Sequence, residues 1–172
     1  CLAIVDDCSR ECLVIEVDTS INGRRVAAVL DRLADLRGLP DSITVDHGPE
    51  FEGQVLDAWA YQNGVVLNFI RPGKPVENAY IESFHDKLRG ECLNRELFGS
   101  LREARVILGQ WRHEYNEARP HSSLGYRTPN EYAAEQTNQS DGGCAPQNPA
   151  PLAAAGVRGN QGAHAPLRQS TK

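Results

Sequence analysis

The feature that most constrains the fold is the order in which the apolar periodicity of the chain changes. Residues 2–6 and 11–17 are rich in Ile, Val and Leu and flank a polar turn, which predicts a β-hairpin. From residue 22 onward, helix-like segments with apolar side chains every three or four positions alternate with short strand-like ones. Strands are predicted at 2–6, 11–17, 42–45 and 65–70, and helices at about 22–37, 50–63 and 77–94, with two more that start at 100 and 128. This order predicts an α/β domain with a mixed sheet flanked by helices.

The predicted helices have defined apolar faces and start signals. The pairs Ser100 with Glu103 and Thr128 with Glu131 have the spacing of capping boxes. Inward-facing positions are predicted at Val26, Val29, Leu30 and Leu33 in the first helix, at Phe51, Val55, Leu56 and Trp59 in the second, at Ile81, Phe84 and Leu88 in the third, and at Ala104, Ile107, Leu108, Trp111 and Tyr115 in the fourth. The aromatic side chains Trp59, Trp111 and Tyr115 are therefore interpreted as core residues.

The composition changes after residue 136. Residues 137–172 consist mostly of Ala, Gly, Pro, Asn and Gln and contain no aromatic residue. Such a segment buries too little apolar surface to offset its chain entropy. We therefore predict one folded domain at residues 1–136 and a disordered low-complexity tail at 137–172.

Charge and cysteine content restrict the possible partners. The chain has a net charge of −5, but residues 71–136 carry as many basic as acidic side chains, so a phosphate-binding face is expected there. The five cysteines lack the paired spacing of a metal site, which favours reduced thiols. No apolar stretch is long enough to span a bilayer and no leader sequence is recognisable, which predicts a soluble cytoplasmic protein without a membrane partner.

Two carboxylates have positions suited to chemistry. Asp46 follows a predicted strand, and Glu82 lies on a predicted helix on the side away from Ile81 and Phe84. Two or three carboxylates and a substrate phosphate can together hold Mg²⁺, which prefers oxygen ligands. The residues alone leave a plainer interpretation open, in which Asp46 forms a turn and Glu82 is a solvated surface residue.

Four motifs carry a resemblance to a known family. Residues 44–51 (TVDHGPEF) resemble the second-aspartate motif of DDE transposases from bacterial insertion sequences, in the group named IS-three, and residues 78–84 (NAYIESF) resemble their glutamate motif. Asp46 and Glu82 are separated by 35 residues, as in that family. Residues 111–116 (WRHEYN) and 119–126 (RPHSSLGY), followed by Thr128 and Pro129, resemble its C-terminal signature. The resemblance covers residues 2–135.

The resemblance implies an RNase H-like integrase catalytic core with its first strand missing. It implies DNA strand cleavage and strand transfer that depend on two Mg²⁺ (or Mn²⁺) ions, with Asp46 and Glu82 as catalytic and metal-binding residues. The first catalytic aspartate of the family lies on the missing strand, and Asp6 and Asp7 are weaker substitutes at a hairpin turn. The implied partners are transposon ends, target DNA and further copies of the chain, in a bacterial, nucleoid-associated protein.

Polar residues near Glu82 are candidates for contacts with DNA. The candidates are Arg71, Lys74, Asn78, His85, Lys87 and Arg89, each of which can position a phosphate. Each can equally be a solvated surface residue. Arg119 and His121 either contact DNA or brace the last helix.

Two other functions remain open from the sequence. The chain can be an inactive fragment that binds DNA or transposase subunits, since it lacks one catalytic aspartate. An RNase H-type nuclease that cleaves RNA–DNA hybrids would share the fold but not the downstream signature.

Overall fold

The computed structural model describes residues 1–46, 48, 50–51, 53–70, 79–140 and 151–156. The strands are β1 (Leu2–Asp6), β2 (Cys12–Glu16), β3 (Ser42–Val45), β4 (Val66–Phe69) and β5 (Leu152–Gly156). The α-helices are α1 (Gly23–Arg37), α2 (Gln54–Asn63), α3 (Ala79–Leu88), α4 (Leu101–Glu117) and α5 (Pro129–Ser140). A π-helical turn at Arg89–Leu93 continues α3, and Ser122–Leu124 form a 3₁₀ turn.

The strands form one mixed sheet in the order β2-β1-β5-β3-β4. β1 is antiparallel to β2, whereas β3 is parallel to β4. Helices cover both faces of this sheet, as the order of elements predicted, and the architecture is that of an RNase H-like integrase core.

The strand at the centre of the sheet comes from the predicted tail. β5 is antiparallel to β1 and parallel to β3, and its three alanines are almost fully buried. α5 also extends to Ser140, so the structure differs from the prediction of a disordered tail at these positions. The prediction weighed only side-chain burial and overlooked the backbone groups that β1 and β3 offer to an inserted strand.

β5 lies on the side of β1 that β2 leaves open. Consecutive strands usually pair, so a strand that precedes β1 would lie against the edge of β1 that β2 leaves open. Leu152–Gly156 take that position in the described part of the chain. The side chains of Ala153 and Ala155 lie on the face covered by α3 and α4, and those of Leu152 and Ala154 on the face covered by α1 and α2.

The predicted apolar faces are mostly confirmed. Trp59, Trp111 and Tyr115 are buried in the two cores, as are the three predicted positions of α3. Val55 is an exception, because its side chain is 42% exposed. α2 begins at Gln54, and its first buried residue is Leu56, one position after Val55.

Side chains of α4 cover the outer edge of the sheet. Asn116 is buried, accepts a hydrogen bond from the backbone N–H of Cys12 at 2.8 Å and donates one to its carbonyl at 2.9 Å. Arg112 donates to the carbonyls of Cys12 and Leu13, and Arg105 donates to that of Val17. These contacts satisfy backbone groups that an edge strand otherwise leaves open.

Candidate functional site

Asp46 is held in a tight turn at the end of β3. Its side chain is half-buried, and its Oδ1 accepts a hydrogen bond from the backbone N–H of Gly48 at 3.0 Å. A Cβ atom on Gly48 would lie 2.9 Å from that Oδ1 and 2.8 Å from the carboxyl carbon of Glu50, so only glycine fits without a shift. The side chain of Phe51 is buried in the core, and its backbone N–H donates a hydrogen bond to the carbonyl of Gly48, which closes the turn. The turn therefore fixes a carboxylate at the end of a strand near the middle of the sheet.

Ala155 is the neighbour of Asp46 on β5. Val45 pairs with Ala154, and continuing that parallel register by one residue places Ala155 beside Asp46. Side chains alternate along a strand, so the same alternation, continued one residue past Val45, would put Asp46 on the face of Ala155. That face is the one covered by α3.

Glu82 lies on α3, which packs over this same face. Ile81 and Phe84 are buried against the sheet, whereas the side chain of Glu82 is exposed. The predicted orientation of this helix is therefore confirmed. Asp46 thus directly follows β3, and Glu82 is exposed on the helix that covers the face of Ala153 and Ala155.

The predicted DNA-contacting residues have different environments. Lys87 and Arg89 are half-buried, while Arg71, Lys74 and Asn78 lie outside the described residues. His85 differs from the expectation of a surface residue. Its ring packs edge-on against Phe84, it is only 8% exposed, and burial lowers its pKa to about 4.

Asp6 and Asp7 form the hairpin turn. Oδ1 of Asp6 accepts hydrogen bonds from the N–H groups of Cys8 and Ser9, and Asp7 pairs with Arg10 at 2.5 Å. These contacts hold both carboxylates within the hairpin turn.

A cavity of about 250 Å³ lies next to the position of Glu82. Ser83, the residue after Glu82, lines it together with Lys87 of the same helix. Arg10 from the hairpin turn and His121, Ser122 and Ser123 from the loop after α4 complete its polar wall. The sequence analysis missed Arg10, Ser122 and Ser123 as site residues. For Ser122 and Ser123, the only signal in the sequence was that they belong to the RPHSSLGY segment. No signal in the sequence indicated Arg10.

Basic side chains surround the neutral imidazole ring of His121 at the cavity. Burial first, and then Lys87, Arg119 and Arg10, lower the pKa of His121 to about 4, so the ring is neutral near pH 7. Its Nε2 atom is buried and makes no hydrogen bond with the part of the chain that the structure describes. The ring of Tyr115 packs edge-on against it, with centroids 5.1 Å apart.

Arg119 has a structural partner. Its guanidinium pairs with Glu91 on the π-helical turn, and Glu91 also accepts a hydrogen bond from Nε1 of Trp111 at 3.1 Å. These bonds lower the pKa of Glu91 against the opposing effect of desolvation, which is the largest single influence. Arg119 thus braces the π-helical turn after α3, whereas bracing of the last helix was one of the two roles expected for it.

Two searches of the described residues gave negative results. No three side chains of His, Cys, Asp or Glu converge there as a metal site. Among the helices of that part of the chain, none is both long and apolar enough to cross a bilayer.

Comparisons with known proteins agree with this architecture. Two models described as integrase core domains match the chain, one over residues 1–75 and the other over residues 63–129. The 31.7 kDa protein of insertion element IS407 from Burkholderia multivorans is 50% identical over 141 residues, which are 82% of this chain and 51% of that protein. The 39.2 kDa protein of insertion element IS476 from Xanthomonas euvesicatoria is 45% identical over 149 residues, which are 87% of this chain and 43% of that protein.

A more distant relative has a functional name. The transposase for insertion sequence element IS904 from Lactococcus lactis is 30% identical over 91 residues, which are 52% of this chain and 36% of that transposase. The chain spans about half the length, or less, of these three relatives. The paired matches to the integrase core and the similarity to insertion-element proteins show that the chain belongs to the integrase core family of insertion-sequence transposases.

Proposed function

We propose that this chain supplies the catalytic core of a transposase, a polynucleotidyl transferase that cleaves and joins DNA strands. The proposal is supported by membership of the integrase core family together with Asp46 at the end of β3 and Glu82 exposed on α3, the helix that covers one face of the sheet. Its DNA substrates would be transposon ends and target DNA, and several copies would assemble on them.

The chemistry of the two side chains fits a divalent cation. Carboxylate oxygens are the ligands that Mg²⁺ and Mn²⁺ prefer, and two carboxylates plus a substrate phosphate suffice for one ion. Glu82 is exposed and Asp46 is half-buried, so both can present oxygen atoms to a shared ion. A second ion needs a further carboxylate. When bound, such cations supply activation of the attacking oxygen and neutralisation of charge at the phosphodiester.

The remaining roles belong to side chains that hold DNA. Lys87 and Arg89 follow Glu82 on the same helix and its π-helical continuation, where cations position phosphates beside the carboxylates. Arg71, Lys74 and Asn78 precede the helix and are proposed for the same task. For His85, burial leaves a role in supporting α3 rather than a direct contact with a phosphate.

Binding of Mn²⁺ to the chain of 172 residues tests the site directly. We expect Glu82→Gln and Asp46→Asn each to weaken binding in a calorimetric titration by roughly tenfold or more, since each removes one charged ligand. The matched control is Glu114→Gln, because Glu114 is an exposed glutamate on α4. Equal affinity in Glu82→Gln and Glu114→Gln would remove Glu82 from the metal site.

A second candidate function is favoured by β5. The neighbour of Asp46 on that strand is Ala155, which has no ligand atom, and no three metal-ligating side chains converge in the described part of the chain. The chain would then bind DNA or transposase subunits without catalysis. Adding it to a transposition assay of an active relative separates the two functions: a dose-dependent inhibition without strand transfer by the chain itself favours the second.

A further inference from the structure

We propose that the cavity between α3, the hairpin turn and the Ser122–Leu124 turn is a binding site for one phosphate group of a DNA backbone. The site would hold a strand in register beside Glu82. This inference rests on the proposed function for its ligand, but the cavity and its residues are separate from Asp46 and Glu82.

The size of the cavity suits a single group. Pockets that enclose a drug-sized ligand measure about 300–1,000 Å³, whereas this one measures about 250 Å³. A whole nucleotide would not be enclosed, but a phosphate with its bridging oxygens would fit.

The charges around the cavity favour an anion. The positive charges of Arg10, Lys87 and Arg119 all lower the pKa of His121, in addition to the larger effect of its burial. Asp7 pairs with Arg10, and Glu91 pairs with Arg119, so two of the three cations are partly neutralised. Lys87 makes no ion pair with any residue that the structure describes, and its ammonium is the charge available to a ligand.

The cavity also offers neutral donors. The hydroxyl groups of Ser83, Ser122 and Ser123 line it, and each can donate one hydrogen bond to a phosphate oxygen. His121 lines it too, with the buried Nε2 that has no partner among the described residues. A buried polar atom without a partner is costly, so a ligand that supplies one is favoured.

The loop that carries these donors is held by backbone hydrogen bonds. The carbonyl of His121 accepts hydrogen bonds from the N–H groups of Leu124 and Tyr126, and its own N–H donates to the carbonyl of Arg127 at 2.9 Å. Gly125 closes the turn with a φ of 65°, a conformation that glycine adopts without strain. Ser122 and Ser123 are therefore held in place before a ligand arrives, which reduces the entropic cost of binding.

The cavity lies close to Glu82 along α3, so a group bound in it would lie near that carboxylate. Ser83 follows Glu82 directly, and Lys87 lies just over one helical turn beyond it. A phosphate held there fixes the DNA backbone next to the carboxylate, and contacts of this kind set the register of a strand without reading its sequence.

In the first experiment, the chain is titrated with inorganic phosphate in buffer free of divalent cations, and binding is monitored by NMR. Chloride is exchanged for phosphate at constant ionic strength and pH 7. We expect saturable shifts of the His121 ring and of the Ser122 and Ser123 amides, with no change at His113, which is an exposed histidine on α4. Equal shifts at His113 and His121 would mean a general salt effect and would overturn the site.

Two variants test the contacts without unfolding the chain. The double change Ser122→Ala/Ser123→Ala removes exposed hydroxyls and no charge, and we expect roughly tenfold weaker phosphate binding because hydrogen bonds to charged groups are strong. Ser20→Ala, at another exposed serine, is the control and should bind as the parent does. Unchanged binding in the double variant would mean that the cavity is only a water-filled packing space.

A short DNA duplex then replaces inorganic phosphate. We expect the same resonances to shift, and Lys87→Ala to lower the slope of log affinity against log salt by about one. Shifts with inorganic phosphate alone would overturn the assignment to a DNA backbone. Because no metal is present, a failure here leaves the metal site untouched, and a failure of Glu82→Gln leaves this site untouched.

Discussion

At the scale of single residues, the buried His85 and the half-buried His121 are expected to make the stability of the fold depend on pH. His85 and His121 each have a folded-state pKa of about 4, which burial lowers from the ordinary value of 6.5. The unfolded chain therefore binds more protons below pH 6.5, and the free energy of unfolding falls as the pH drops from 6.5 to 4. For the more buried His85 the loss is at most about 3 kcal/mol.

Urea unfolding between pH 7 and 4.5 measures this effect. His85→Gln removes one titrating group and should flatten the dependence of the unfolding free energy on pH, whatever it does to stability at pH 7. His113→Gln makes the same chemical change at an exposed histidine and is the matched comparison. The same slope in both variants would contradict the buried, neutral state of His85.

Asn116 is expected to be a structural residue in spite of its place in a family motif. Its amide bonds both backbone groups of Cys12, and Asn116→Ala would remove the side-chain acceptor of the Cys12 N–H and leave its carbonyl with the bond from Arg112. We expect a loss of about 2–3 kcal/mol in the free energy of unfolding. Asn130→Ala, which removes an exposed bond to Glu117, should cost less than about 0.5 kcal/mol. Similar losses in both would mean that α4 does not secure the edge of the sheet through Asn116.

At the scale of elements, β5 is the least expected part of the sheet and the one most open to test. Ala154→Pro removes a ladder hydrogen bond from the central strand and should lower the unfolding free energy by about 2–4 kcal/mol. Ala163→Pro makes the same chemical change at a position outside β5, and its unfolding midpoint is compared. If both variants unfold at the parental urea concentration, Leu152–Gly156 do not form the central strand.

The elements show what local patterns can and cannot predict. β1, the register of α3 and both capping boxes followed from side-chain periodicity, because burial on one face and a cap at the first turn are local properties. In the structure, Ser100 accepts from the N–H of Glu103, and Thr128 accepts from that of Glu131, as predicted. The pairing of β5 with β1 and β3 is set by backbone groups about 110 and 150 residues away, and no local pattern in Leu152–Gly156 indicates it.

The candidate site was predictable to a similar extent. Asp46 and Glu82 were singled out by a strand end and a polar helix face, and the resemblance to the transposase motifs gave them their expected roles. The cavity was not, because Arg10 and Ser122 meet only after the hairpin turn and the loop following α4 have been brought together by the packing of α4. The burial of His85 was missed for a related reason: its position beside Phe84 is set by tertiary packing, which overrides its place on the predicted polar stripe.

At the scale of the whole molecule, the central strand β5 offers a position at which a third carboxylate can be introduced beside the two candidates. Ala155→Asp would add a carboxylate beside Asp46, on the face covered by α3. Without metal the change should destabilise the fold, because it buries a charge near a like charge. With Mn²⁺ the carboxylates share a cation, and binding to the folded state alone raises its stability. We therefore expect the melting temperature of Ala155→Asp to rise with Mn²⁺ by more than that of the parent.

Ala153→Asp is the matched control, because Ala153 lies on the same face of the same strand and pairs with Thr44 instead. It carries the same cost of a buried charge and has no candidate ligand beside it, so Mn²⁺ should not restore its stability. An equal response to Mn²⁺ in the two variants would show that Ala155 is not the neighbour of Asp46 at a metal site. A response confined to Ala155→Asp, and lost again when Glu82→Gln is added, would tie the sheet order, the helix over it and the metal chemistry into one arrangement.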